Sequence, residues 1–225
     1  LSSAAMMTVV ADREADIHAQ WAGVPQPNFH LLSRSMQERR LAGGGLLSAA
    51  LADLPVAGHR RVDLAGREPS RAARTASLEL RFGVVGIVPP ATEWDRTLDR
   101  TVRLSAIEVR ETDATLGAEP LLRRLLSTHT IADTAAALQV VGWYQARWTN
   151  EKLFRVLKTQ GLQLEDIQIA SAERLVKLAA VAPRAACIDI QLTQERDGHA
   201  ELPASSVFSQ HEIDTLAALG PALEG

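Results

Sequence analysis

A short, nearly all-apolar run near the start of the chain constrains the fold more than any other feature. The run Met6–Ala11 contains a single Thr among apolar residues, a pattern typical of a strand that is buried on both faces of a sheet. Strands of that kind occur mainly in α/β proteins. The segment Arg13–Ala22 then predicts a helix, and residues 28–33 predict a second strand that ends at Arg34. The order strand, helix, strand therefore predicts an α/β fold.

Asp12 directly follows the first predicted strand. In an open α/β sheet, ligands bind at the carboxyl ends of the strands, so this carboxylate is a candidate functional group. Asp is also a favoured residue at a helix N-cap, and capping the helix that begins at Arg13 is the more ordinary role. The two roles are compatible, and the residues alone leave both open.

The middle of the chain predicts an antiparallel β block. Strand-like alternation or β-branched runs occur at 59–64, 75–82, 84–88, 102–110 and 121–128. A small basic cluster (Arg34, Arg39 and Arg40) precedes the block in a predicted loop. It has the chemistry to hold phosphates, although clusters of this size are more often solvated surface.

From Ile131 onward the pattern is helical. Residues 141–158 contain no Pro and predict one helix, and Tyr144, Arg147, Glu151 and Lys158 are spaced by 3, 4 and 7 residues along it. At about 100° per residue these four side chains share one helix face. An exposed helix with Arg147–Glu151 pairing at i,i+4 has the same pattern, so the spacing alone leaves a surface role open.

Further helices are predicted at 170–194 and 209–219. In the first of them Leu175, Leu178, Val181 and Ile188 are in helical phase. Because an interior Pro removes a hydrogen bond and clashes with the preceding turn, Pro183 is expected to kink this helix.

Composition narrows the function classes. The net charge of −3 gives no global electrostatic case for nucleic-acid binding, although 24 cationic residues include only three lysines and Arg suits phosphate contacts. One cysteine excludes an internal disulfide and a multi-Cys zinc site, and Cys187 is expected to be a small apolar filler in a helix. Without an apolar run of about 18 residues or a signal-peptide pattern, we expect a cytoplasmic protein that does not interact with membranes.

Asp12 and Glu151 carry the clearest catalytic chemistry if the fold brings them together. Carboxylates are hard oxygen ligands suited to Mg²⁺ or Mn²⁺. Two such ions support phosphodiester chemistry, and cations on the same helix face as Glu151 would then meet DNA phosphates.

The spacing Tyr144-x2-Arg147-x3-Glu151-x6-Lys158 matches the YREK signature of a large group of bacterial insertion-sequence transposases. These are DDE-type enzymes with a ribonuclease H-like core. The chain resembles the family from about Met6 to Gln194, in the same order, at 12–17, 29–34, 71–80, 143–148, 153–158 and 172–175.

The resemblance implies a fold and a set of domains. The fold is α/β: a partial ribonuclease H-like core with an inserted antiparallel β block and a C-terminal helical part. Residues 1–40 would form part of the catalytic core, and 41–128 would form the inserted β subdomain. Residues 129–195 would form the rest of the core with the YREK helix, and 196–225 a C-terminal tail with a short helix.

The resemblance also implies roles. Asp12 and Glu151 would be catalytic residues and ligands of Mg²⁺ or Mn²⁺, and Tyr144, Arg147, Lys158 and Arg34 would contact DNA. The implied reaction is metal-dependent cleavage at transposon ends, followed by attack of the 3′-hydroxyl on target DNA. The implied partners are transposon-end and target DNA and, in the intact protein, a second copy that forms a homodimer.

Two departures from the family pattern qualify this expectation. The first Asp of the catalytic triad is expected upstream of Leu1, so we expect these 225 residues to be inactive alone. Relatives commonly carry a Trp where Arg123-Arg124 stands. The alternative is therefore a non-catalytic remnant that binds DNA or dimerises, and that inhibits a full-length transposase.

Overall fold

A computed structural model describes residues 5–24, 28–64, 73–90, 95–114, 119–160, 169, 171–196 and 203–223. The described chain is a mixed α/β protein, as the sequence predicts. It divides into two compact units, Leu1–Arg147 and Trp148–Gly225. The first unit contains the sheet, and the described elements of the second are helical.

The described strands of the first unit form one six-stranded sheet in the order β1-β2-β6-β5-β4-β3. The strands are β1 (Met7–Ala11), β2 (Phe29–Arg34), β3 (Gly58–Leu64), β4 (Arg74–Ile87), β5 (Val102–Glu111) and β6 (Leu122–Ser127). The helices of this unit are α1 (His18–Ala22), α2 (Leu47–Ala52) and α3 (Thr134–Ala146). The segment 41–128, predicted as an inserted block, thus contributes four strands to the same sheet as β1 and β2.

β1 and β2 are the parallel pair of this sheet, in register from Met7↔Phe29 to Ala11↔Ser33. The pairs β2–β6, β6–β5, β5–β4 and β4–β3 are antiparallel. A parallel pair needs a crossover connection, which here contains a 3₁₀ turn and α1. The parallel arrangement places the carboxyl ends of β1 and β2, and with them Asp12 and Arg34, at the same edge.

Two apolar clusters lie on opposite faces of the sheet. Because successive strand residues point to opposite faces, Leu32 and Leu125 join one cluster and their neighbours Leu31 and Leu126 the other. The first cluster packs against α3 through Ala137, Val140 and Tyr144. The second packs against α1 through Trp21 and against α2 through Leu47 and Leu51.

Several predicted strands need correction. The run at β1 is a strand, but it is not buried: β1 pairs with β2 alone among the described strands, and Met7 and Val9 are 45% and 40% exposed. The two strands predicted at 75–82 and 84–88 are one strand, β4, because Gly83 pairs with Ala106 and continues the ladder.

Two predicted helices in the first unit also differ. The helix predicted at 13–22 is a 3₁₀ turn at Arg13–Ala15 followed by α1. The helix predicted across 141–158 is interrupted at Arg147, whose backbone N–H bonds to the carbonyl of Tyr144 three residues back. The four signature residues are therefore divided among the end of α3, the interruption at Arg147 and the helical segments that follow it.

The second unit contains α4 (Trp148–Arg155), a π-helical turn at Val156–Gln160, α5 (Ala172–Arg196) and α6 (Gln210–Leu223). α5 runs through Pro183 as one helix, so Pro183 does not end it, and the kink stays a prediction. Its buried positions recur every four residues, at Ala182, Ala186 and Ile190, whereas Leu175 and Val181 are exposed. Cys187 is exposed as well, and is not the predicted filler.

The basic cluster also needs correction, because Arg39 is buried. Its guanidinium forms a salt bridge of 2.7 Å with Asp16, whose side chain is fully buried. Asp16 also accepts from the Trp21 indole N–H at 3.1 Å and from the Met36 backbone N–H at 2.9 Å. Arg40 remains exposed.

None of the described helices is long and apolar enough to cross a membrane.

We predict that Arg39→Met destabilises the first unit by about 3–5 kcal/mol, because it leaves the Asp16 charge buried without its counter-ion. Chemical denaturation measures the loss. Arg40→Met, one residue away and exposed, is the matched control and should change the free energy of unfolding by less than about 0.5 kcal/mol. Equal effects of the two changes would show that the buried pair contributes nothing specific.

Candidate functional site

The carboxylate of Asp12 is the centre of the candidate site. Asp12 follows β1 in extended conformation and makes no side-chain capping hydrogen bond to the 3₁₀ turn. Its Oδ1 instead accepts a hydrogen bond of 3.1 Å from the hydroxyl of Tyr144, 132 positions later in the chain. Its Oδ2 lies 3.2 Å from the guanidinium of Arg147. Asp12 therefore stands at the cap position of the 3₁₀ turn without a side-chain capping bond, and its carboxylate contacts Tyr144 and Arg147.

Tyr144 and Arg147 reach Asp12 from the end of α3. Asp133 caps the start of this helix by accepting a hydrogen bond of 2.8 Å from the Ala136 backbone N–H, and the apolar cluster beneath holds Ala137 and Val140. The Tyr144 ring is 7% exposed and belongs to the same cluster. The Arg147 guanidinium carbon lies 5.8 Å from the centre of that ring. Core packing of α3 thus fixes both donors.

Arg34 adds a second positive charge to the site. It ends β2, and its side chain is partly buried. Its charge acts on the ionisation of both Asp12 and Tyr144. Arg34 and Arg147 therefore lie near one carboxylate. Because two positive charges surround a single negative charge, the site has a net positive charge.

The balance of these effects sets two pKa values. Partial burial by itself raises the pKa of Asp12, but the Arg13 backbone N–H, the Tyr144 hydroxyl and the charges of Arg147 and Arg34 together hold it below its ordinary 3.8. Burial, followed by the charge of Asp12 and the hydrogen bond to it, raises the pKa of Tyr144 above 10.0. At neutral pH the site therefore contains an ionised carboxylate, a neutral phenol and two guanidinium groups.

This arrangement suits the binding of an anionic oxygen. Guanidinium groups present planar sets of N–H donors that match carboxylate and phosphate geometry. Here the carboxylate of Asp12 already accepts the hydrogen bond of Tyr144 and forms an ion pair with Arg147. A phosphate that entered the site would compete with Asp12 for the same groups.

The other two signature residues belong to the second unit. Glu151 lies in α4 and Lys158 in the π-helical turn that follows, and both side chains are exposed. Their participation in a site with Asp12 stays a prediction. The structure brings together Asp12, Tyr144, Arg147 and Arg34, all of the first unit.

The residues around Asp12 do not by themselves fit a divalent cation. Asp12 is the one carboxylate among the four side chains brought together, and a hydroxyl contacts one of its oxygens and a guanidinium the other. Across the described parts of the chain, no group of three or more His, Cys, Asp or Glu side chains is arranged to hold a metal ion. We therefore derive no chemical step through a metal at this site.

Sequence reasoning missed a stacked pair of histidines in the same unit. The rings of His30 and His129 lie 3.8 Å apart between centroids. The antiparallel pairing of Leu32 with Ser127 places these two residues opposite each other. Predicting that His30 and His129 are close would have required the pairing register of β2 with β6, which the sequence alone does not give.

No protein-family model matches the chain.

We predict that Tyr144→Phe and Arg147→Gln each raise the pKa of Asp12, because each removes a group that favours its ionised form. A carboxyl ¹³C NMR titration measures the change. Since the folded pKa is lowered, the stability that these contacts contribute is complete above pH 3.8 and is lost as the pH falls through the folded pKa. Arg40→Gln, exposed and outside the site, is the control and should leave the titration unchanged.

Proposed function

We propose that this chain is part of the catalytic core of a DDE-type insertion-sequence transposase. In the intact protein, this core would carry out metal-dependent cleavage at transposon ends and strand transfer to target DNA. Asp12, Arg34, Tyr144 and Arg147 would form one part of the site. Glu151 and Lys158 of the second unit would supply a second carboxylate and a further phosphate contact.

The observation that supports this proposal best is the contact of Tyr144 and Arg147 with Asp12. The resemblance assigns all three residues to one DNA-processing site from sequence motifs that lie more than 130 positions apart. Their hydrogen bond of 3.1 Å and ion pair of 3.2 Å bring these motifs to one point.

The topology also agrees with the proposal. Asp12 stands at the carboxyl end of β1 and Arg34 at the carboxyl end of the parallel strand β2. This edge is where open α/β sheets commonly bind ligands. Arg34, Arg147 and the phenol of Tyr144 present donors there for phosphate oxygens.

The cofactor belongs to the proposal too. Mg²⁺ or Mn²⁺ would be held by Asp12 together with Glu151, and would supply the Lewis acid for phosphodiester chemistry. Arg147 and Tyr144 already contact the Asp12 carboxylate, and a carboxylate has further lone pairs for a cation. The phosphates of bound DNA would be additional acceptors for these two donors.

A second function is favoured by the same ion pair. A carboxylate that is held by a guanidinium is suited to a structural role, and a site of this kind can bind DNA without cutting it. The second candidate is therefore a non-catalytic remnant that binds DNA or dimerises, and that inhibits a full-length transposase by forming mixed complexes.

We predict that Arg147→Gln weakens binding to a labelled 30-base-pair DNA duplex. If Arg147 contacts one phosphate, the slope of log K against log salt should fall in magnitude by about 0.9, as measured by fluorescence anisotropy at several salt concentrations. Asp12→Asn should bind the same duplex more tightly, because it removes a negative charge beside the phosphate. Arg40→Gln is the matched control. If it weakens DNA binding as much as Arg147→Gln does, the effect of Arg147→Gln is explained by net charge alone.

A cleavage assay separates the two functions. Incubation of supercoiled plasmid with the chain and Mg²⁺ or Mn²⁺ is expected to give no nicked product, because the resemblance assigns only Asp12 and Glu151 to a reaction that uses three carboxylates. Nicking that Asp12→Asn and Glu151→Gln both abolish would instead rule out the remnant. Absence of DNA binding by the unmodified chain at low salt would contradict the first function and the DNA-binding form of the second, and a monomeric chain in solution would contradict the dimerising form.

A further inference from the structure

Two stacked histidines lie in the first unit, outside the Asp12 site. The imidazole rings of His30 and His129 have centroids 3.8 Å apart and an interplanar angle of 18°. His30 belongs to β2, and His129 follows the end of β6 by two residues. The pair therefore spans the junction of the two strands, and it is partly buried.

Hydroxyl groups hold both rings in place. Thr8 of β1 lies 2.8 Å from Nε2 of His129, and Thr128 lies 3.2 Å from Nδ1 of His30. The Thr128 oxygen also accepts from the Leu31 backbone N–H at 2.9 Å. The hydroxyl groups that fix the two rings are uncharged at neutral pH.

Little around the rings compensates a positive charge. β1 presents Thr8, the turn after β6 presents Thr128, and α3 presents Trp143 at 4.9 Å from His129. None of these side chains ionises near neutral pH. Burial first, and then the charge of His30, lower the pKa of His129 below its ordinary 6.5. A second proton on the pair would place two like charges in direct contact.

The pair also contacts the helix that carries the Asp12 donors. Trp143 of α3 packs on His129 at an angle of 49°. The next residue, Tyr144, donates to Asp12, and Arg147 follows at the end of the helix. A displacement of Trp143 is therefore transmitted along one rigid element to the two donors of the site.

We propose that the His30–His129 stack is a pH-sensitive clamp for α3. While the rings are neutral, they hold Trp143 and keep Tyr144 and Arg147 against Asp12. When His129 takes up a proton as the pH falls, repulsion within the stack separates the rings and loosens the end of α3. The clamp rests on contacts within the first unit, and so does not depend on whether the chain acts on DNA.

The direction of the pH dependence follows from the lowered pKa of His129. A buried neutral histidine binds its proton more weakly in the folded chain than in the unfolded chain. Its contribution to stability is therefore complete above pH 6.5, and is lost as the pH falls from 6.5 toward the folded pKa. Asp12 titrates below 3.8, so the two transitions are separate.

NMR titration of the whole chain between pH 4.5 and 8 tests the clamp. The ring C–H resonances of both histidines, the indole N–H of Trp143 and the Nε–H of Arg147 are followed together. We expect Trp143 and Arg147 to move with the midpoint of His129. In His30→Asn the midpoint should shift to higher pH, because the charge of the neighbouring ring is gone. In His129→Gln the transition of Trp143 and Arg147 should disappear.

The control is His59→Asn, which removes an exposed histidine of β3 in the same unit and should leave every midpoint unchanged. The clamp is overturned if His30→Asn leaves the His129 midpoint unchanged. It is equally overturned if the Arg147 resonance stays constant while His129 titrates. If His129→Gln fails to fold, the His30→Asn titration still decides between these outcomes.

Discussion

The two-sided pairing of β2 is the constraint on which the rest of the first unit depends. β2 bonds in parallel to β1 on one side and antiparallel to β6 on the other. Its residues alternate between the two apolar clusters, with Leu31 in one and Leu32 in the other. A shift of one residue in either register would exchange these faces and expose both cores. The register of β2 is therefore fixed by burial on both sides.

That register also assembles the two polar groups of the unit. At the carboxyl end of the parallel pair it sets Asp12 beside Arg34, within reach of Tyr144 and Arg147. Nearer its amino end, the antiparallel pairing sets His30 against His129. α3 packs on the sheet between them and contacts one group through Trp143 and the other through Tyr144. The site and the histidine stack are thus consequences of one sheet and one helix.

Among the described residues of this unit, three buried carboxylates are each paired with an arginine. Asp16 is paired with Arg39, Glu111 with Arg74, and Glu108 with Arg124. The cost of removing a charge from water is high, and only close opposite charges and hydrogen bonds offset it. These arginines are therefore structural. They explain why a count of arginines in the sequence overstates the number available to a nucleic acid.

The sequence by itself determined the local elements where the pattern was strong. It predicted the α/β class and placed β1, β2 and β6 to within one residue at each end, because short apolar or β-branched runs between turn residues have few other conformations. The cap at Asp133 is a local feature of the same kind, because its own side-chain oxygen accepts from the Ala136 backbone N–H. It also selected Asp12, Arg34, Tyr144 and Arg147 by resemblance, and the fold brings these four together.

Only the tertiary structure decided features that depend on partners distant in sequence. The end of α3 at Ala146, the burial of Arg39 and the exposure of β1 follow from what packs against each segment, and local propensity carries no information about that. The same holds for the contacts of Asp12: an acid after a strand is compatible with a cap or a site, and only the position of α3 gives its carboxylate the partners Tyr144 and Arg147. The His30–His129 contact required the pairing of β2 with β6, and no single segment contains that register.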